Sequence, residues 1–97
     1  MQNKIIDAMK EHIGIRGGVY SDWYFGIARD PRKRLFGDHQ VREQEDHWIF
    51  MNAESEIIAR SVELHFIEVL GVDGGSGGGD STTVYVYVYK KASHTVE

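Results

Sequence analysis

The sequence predicts an α/β (α+β) domain, a small mixed sheet of three or four strands flanked by about three helices. Three patterns carry that reading. Apolar residues recur at helical spacing near the start and again over 53–70, short apolar and aromatic runs at 23–28 and 48–52 have strand length, and 82–89 alternates Val with Tyr in strict period two. The segments follow one another as helix, one or two strands, helix, strand, helix, strand.

Each element has a local reason. Over residues 2–13, Ile5, Ile6, Met9 and Ile13 fall on one helical face with Lys4, Asp7, Lys10 and Glu11 elsewhere, and Gly14, Gly17 and Gly18 end the helix. Residues 19–28 are rich in aromatics, but Ser21-Asp22 is a turn pair that divides them, leaving 23–28 as the better strand. Asp30-Pro31 is a helix start with Asp as N-cap and Pro at the first helical position, and the helix continues from Arg32 to about Gln40. Residues 42–46 read as a polar connector, and 48–52 as a short strand. Asn52 is the expected cap of a long helix over 53–70 whose buried stripe would be Ile57, Ile58, Val62, Phe66, Val69 and Leu70, with Gly71 as its stop. Residues 71–80 hold six Gly and read as a loop. The Tyr-Val segment within 81–91 has two apolar faces, so helices are expected on the sheet faces.

Composition bounds the chemistry. The 97 residues suit one domain, with a helix over 1–14, a central region over 18–70, the loop over 71–80 and the strand within 81–91. There is no Cys, so disulfides, thiol nucleophiles and thiolate-held metals are excluded, and any metal must use O or N ligands. A net charge of -4 opposes a protein that coats nucleic acid, although a local basic site is compatible with it. Apolar runs fall far short of the ~20 residues a membrane span needs, and the first residues do not resemble a signal segment, so a cytoplasmic protein with no membrane partner is expected.

The Gly loop follows a helix, lacks a Gly-Lys-Ser/Thr ending and carries Asp73 and Asp80, which would repel phosphate, so a linker or lid is the better reading. His12, His39, His47, His65 and His94 form no His-x-x-x-His pair, which disfavours zinc held by sequence neighbours.

One segment has a more specific pattern. Gly18-Val19-Tyr20 is followed by Tyr24-Phe25-Gly26-Ile27-Ala28-Arg29-Asp30-Pro31-Arg32-Lys33-Arg34-Leu35, and later by Glu63-Leu64-His65-Phe66-Ile67. This series resembles the GIY-YIG nuclease domain over residues 18–70. The resemblance implies that Tyr24 and Gly26 match the second motif, that Gly18 and Tyr20 belong to the first, that Arg34 stands at the catalytic arginine and that His39 lies one residue beyond a histidine the family often keeps. It also implies a metal role for Glu63, with Mg²⁺ or Mn²⁺ as the cofactor and DNA as the partner. Such a set suits phosphodiester hydrolysis. A hard cation accepts one carboxylate plus waters and substrate phosphate, an Arg fork contacts phosphate oxygens, and Tyr20 or Tyr24 would deprotonate or orient the attacking water. Arg29, Arg32 and Lys33 would contact the nucleic-acid backbone.

Only three residues separate Tyr20 from Tyr24, and an alternative alignment takes Gly14-Ile15-Arg16 as the first motif. Bland readings stand beside the functional ones: Arg34 in a helical ion pair with Asp30 or Asp38, Glu63 as a solvated charge near Arg60, Tyr24 as core, His39 on the surface, and the Tyr85, Tyr87, Tyr89 ladder as sheet packing in place of a surface that stacks bases. A non-catalytic binding module on the same fold, or a small protein dimerising through an exposed edge of the Tyr-Val strand, are the other classes the residues allow. A nuclease this small would be minimal or would depend on a separate partner for sequence specificity.

Overall fold

Ile5, Ile6, Met9 and Ile13 are all buried in the computed structural model, which describes residues 2–75 and 81–97. They form the inner face of α1, Gln2–Arg16. The helix runs through Gly14 and stops at Gly17, whose φ of 89° lies in the left-handed region and whose N–H donates to the Ile13 carbonyl. Tyr20–Asp22 is a single 3-10 turn, so the expected first strand is absent there. The Asp22 carboxylate accepts the Val19 N–H, which closes the turn on itself.

β1 spans Trp23–Ala28, β2 Trp48–Asn52, β3 Asp73–Gly74 and β4 Tyr85–Lys90. They form one mixed α+β sheet in the order β2-β4-β1-β3, with β4 antiparallel to both β2 and β1, and β3 parallel to β1. Two sequence expectations change here. The start of the Gly segment is a short strand instead of loop, while residues 76–80 lie outside the described residues. The Tyr-Val strand is central, with ladders on both edges, so it offers no edge for dimerisation.

Strand alternation sorts the sheet into two cores. Trp23, Phe25, Ile27, Val86 and Val88 face α1 and α2, Glu56–Leu64. Ala28, Tyr87 and Tyr89 face the opposite layer, packed with Leu35 and Val41. That second layer begins as the sequence predicts: the Asp30 carboxylate accepts the Lys33 N–H, and Pro31 sits in the first turn. Its body, Lys33–Asp38, is π-helical, with the His39 N–H reaching the Arg34 carbonyl.

The cap of α2 is Ser55, whose hydroxyl accepts the Ile58 N–H. Asn52 instead ends β2, and its side chain accepts the Glu54 N–H. The buried stripe also differs from expectation. Ile57 is 80% exposed and Val69 is 68% exposed, whereas Ala59 and Glu63 are buried beside Val62 and Phe66. After Leu64 the helix continues as a π-helical segment, His65–Val69, and the change of pitch turns residues past 64 away from a 3.6-residue stripe. We predict that Ser55→Ala lowers stability by about 1 kcal/mol, a fall in Tm of about 4–8 °C for a domain of this size, measured by thermal circular dichroism. Among the described residues no helix is long and apolar enough to cross a membrane.

Candidate active site

The site forms where the sheet edge stops. Among the described residues β3 pairs with Tyr24 and Phe25 of β1, and beyond that pairing, at Gly26 and Ile27, residues of the two layers come together. Tyr24, Gly26 and Ile27 from β1, Arg34 from the π-helical segment, Glu63 from α2, Tyr87 from β4 and Gly75 line one small pocket there, with a cavity of ≈ 50 Å³. That space admits one or a few water-sized groups and no nucleobase.

Glu63 is the least ordinary member. It is 3% exposed, and its buried Oε2 has no hydrogen-bond partner among the described residues. Burial pushes its carboxyl above the usual glutamate range, and the Arg60 cation only partly opposes this. Arg60 is ion-paired with Glu56 one turn earlier. The solvated-charge reading of Glu63 is therefore corrected. An anion left without a donor in a pocket is poorly placed unless a cation reaches it, and a single carboxylate with water and phosphate oxygens is a sufficient set for Mg²⁺ or Mn²⁺. The residues present fit such an ion. Among the described residues there is no cluster of three or more His, Asp or Glu that would hold a metal without substrate.

Tyr87 packs in the sheet as the sequence suggests, 1% exposed in the second core, and it also lines the pocket. The register places it directly opposite Gly26. A Cβ on Gly26 would overlap the Tyr87 hydroxyl and Cζ, so only glycine lets the ring lie across β1. Burial raises the Tyr87 hydroxyl's pKa strongly, against the pull of the nearby Arg34 cation.

His39, one expected catalytic residue, is 3% exposed and lies behind Tyr87 instead of on the surface. Its Nδ1 lies 2.7 Å from the Val96 carbonyl and its Nε2 lies 2.7 Å from the Tyr87 hydroxyl. A carbonyl only accepts, so Nδ1 carries the proton and Nε2 accepts the Tyr87 O–H. Burial, with Arg34 nearby, holds the imidazole below its ordinary pKa despite the Val96 bond, which keeps it neutral near pH 7. The backbone bond from Val96 N–H to the His39 carbonyl (2.8 Å) fastens the same two segments. Tyr24 packs on His39 at 4.9 Å and stacks on Tyr89 at 5.4 Å between ring centroids. Its hydroxyl sits near Gly75, where a Cβ would stand 3.3 Å away.

Arg34 pairs with Asp38 at 3.2 Å across two exposed side chains. Such a pair is worth at most about 1 kcal/mol, so the guanidinium is free to exchange Asp38 for a more strongly charged group.

The remaining predicted residues are elsewhere. Tyr20 lines an apolar groove with Ile13, Gly14, Gly18 and Val19, and is not in the pocket. Gly18 is a turn residue with φ 89°, where a side chain would meet the Asp22 carboxylate at 2.8 Å. Arg29 and Arg32 line a different groove, and Lys33 is exposed without lining either.

Compared with protein-family models, with curated proteins and with solved structures, the chain has no match in any of the three.

Proposed function

We propose that the chain is a divalent-metal-dependent endonuclease of GIY-YIG-like chemistry, hydrolysing DNA phosphodiester bonds at the Glu63 pocket. One observation carries this reading: Tyr24, Arg34 and Glu63, from three different elements, line a single small pocket in which the Glu63 Oε2 has no hydrogen-bond partner among the described residues.

Glu63 would hold Mg²⁺ or Mn²⁺, which supplies Lewis-acid polarisation of the phosphoryl group. Arg34 moves its guanidinium from Asp38 to the non-bridging oxygens and stabilises the charge that builds there. The Tyr24 and Tyr87 hydroxyl oxygens bound the space where the attacking water sits. Because the Tyr87 proton points at His39, the Tyr87 lone pairs face the pocket and accept the water's proton while its own passes to His39 Nε2. The water oxygen bonds to phosphorus, the bond to the leaving oxygen breaks, solvent protonates that oxygen, and His39 returns its proton through the Tyr87 hydroxyl to water in the pocket. His39 thus acts through Tyr87, and its neutral form is the one that can take the proton.

Removing one charge-stabilising donor costs about 10²–10³-fold in rate. With supercoiled plasmid and Mn²⁺, Arg34→Ala is expected to nick about 10²–10³-fold more slowly than the unmodified chain, with an unchanged circular dichroism spectrum because Arg34 is exposed. Equal nicking by the two proteins contradicts the proposed role of Arg34.

A further inference from the structure

The Glu63 pocket is too small for a base, so a nucleic-acid chain cleaved there must rest its neighbouring nucleotide outside it. A second, larger groove lies on the same sheet face. It has a volume of ≈ 500 Å³ and is lined by Arg29, Asp30, Pro31, Arg32, Phe50 and Tyr85, a size typical of small-molecule sites, which span about 300–1,000 Å³. Tyr85 and Tyr87 alternate with the same parity on β4, two residues and thus about 7 Å apart along the strand. One lines the groove and the other the pocket. Likewise Pro31 and Arg32 touch the groove while Arg34 touches the pocket.

We propose that this groove binds one unpaired nucleotide of a single-stranded nucleic-acid segment, with its base on Phe50 and Tyr85 and its phosphate at Arg29 and Arg32.

The chemistry of the groove favours that occupant. Phe50 and Tyr85 are half-buried and meet edge to face at 6.1 Å. The Arg32 guanidinium lies 5.5 Å from the Phe50 ring centroid, 5.7 Å from Phe36 and 6.0 Å from Trp48, so a planar cation is already layered on aromatic carbon. Aromatic rings and Arg planes are the surfaces on which unpaired bases stack. A base in a duplex is already stacked and offers neither face. Two nearby carboxylates do not cancel the cations. Asp30 keeps its charge while accepting the neutral Lys33 N–H, but the lining sets Arg29 and Arg32 against that one carboxylate, and Glu43 reaches Arg32 through an exposed pair at 3.1 Å that a phosphate can replace. Arg29 has no ion pair among the described residues and is exposed.

The inference rests on the nuclease reading for its choice of ligand, and binding without cleavage tests it separately. Fluorescence anisotropy in EDTA would compare labelled oligothymidylate, oligouridylate, an abasic strand of the same length and a duplex. Both base-bearing single strands are expected to bind more tightly than the abasic strand and the duplex, and whichever of the two binds more tightly identifies DNA or RNA as the source. Phe50→Leu, which keeps apolar volume but removes the ring, is expected to weaken oligothymidylate about 5- to 150-fold. Arg29→Ala, on the exposed rim, is expected to weaken it and to reduce the salt slope by about one. Equal binding of the abasic strand, or wild-type binding by both Phe50→Leu and Arg29→Ala, overturns the groove and leaves the pocket standing. Nicking by Glu63→Gln at the unmodified rate overturns the pocket and leaves the groove standing.

Discussion

Glu63→Gln is expected to raise Tm in metal-free buffer at neutral pH and to abolish any rise in Tm caused by Mg²⁺ or Mn²⁺. Among the described residues the buried Glu63 Oε2 has no hydrogen-bond partner, and removing a poorly compensated buried charge is worth at least about 1 kcal/mol. In a domain of this size that is about 4–8 °C. The pH dependence has a definite sign. Because burial raises the folded-state pKa of Glu63, the native state holds this proton more tightly than the unfolded chain. Its contribution is most favourable in acid and is lost as pH rises from the ordinary glutamate range through the raised value. The Tm advantage of Glu63→Gln therefore grows from pH 4 to neutrality. A metal bound only by the native state stabilises it by about 2.7 kcal/mol at 100 times its Kd, and this gain should be present in the unmodified chain alone. A lower Tm for Glu63→Gln in EDTA, or an equal metal-induced rise in both proteins, contradicts this account of the carboxylate.

The second large effect is at Gly26. Gly26→Ala forces the Tyr87 ring off β1, because the new methyl would occupy the position of its hydroxyl and Cζ. Overpacking of this kind costs about 1–3 kcal/mol, a fall in Tm of roughly 4–24 °C. Nicking should be lost as well, since Tyr87 no longer reaches either the pocket or His39. A double-mutant cycle isolates the cause. In a Tyr87→Val background the overlap is gone, so the cost of Gly26→Ala should shrink towards zero. An undiminished cost there would place the strain somewhere other than Tyr87.

What could be read from the chain alone follows the range of the forces involved. The face of α1 was legible because four apolar residues repeat at helical spacing, and β1, β2 and β4 because their residue types and alternation are local signals. Asp30-Pro31 announced the next helical turn for the same reason. The resemblance over residues 18–70 singled out Tyr24, Gly26, Arg34 and Glu63, and these four do line one pocket.

The failures are non-local or depend on helix pitch. Tyr87 looked like its neighbours Tyr85 and Tyr89, and only the register that sets it across from Gly26 distinguishes it. His39 looked exposed because its partners are Tyr87 and Val96, 48 and 57 residues away. Tyr20 kept the spelling of a motif but sits in a 3-10 turn that points it at α1. Val69 was assigned to the buried stripe of a regular α-helix, and the π-helical segment after Leu64 turned it outward. Ser55 displaced Asn52 as the cap because Asn52 is still paired with Tyr85 at the end of β2.

The central claim is that the Glu63 pocket hydrolyses phosphodiester bonds with a divalent cation. Its most direct test is the rate of supercoiled plasmid nicking in Mn²⁺ by the unmodified chain and by Glu63→Gln, purified identically and assayed beside an EDTA control. The account predicts Mn²⁺-dependent nicking by the unmodified chain and none above the EDTA control by Glu63→Gln. Nicking at equal rates by both proteins, or by neither, contradicts it.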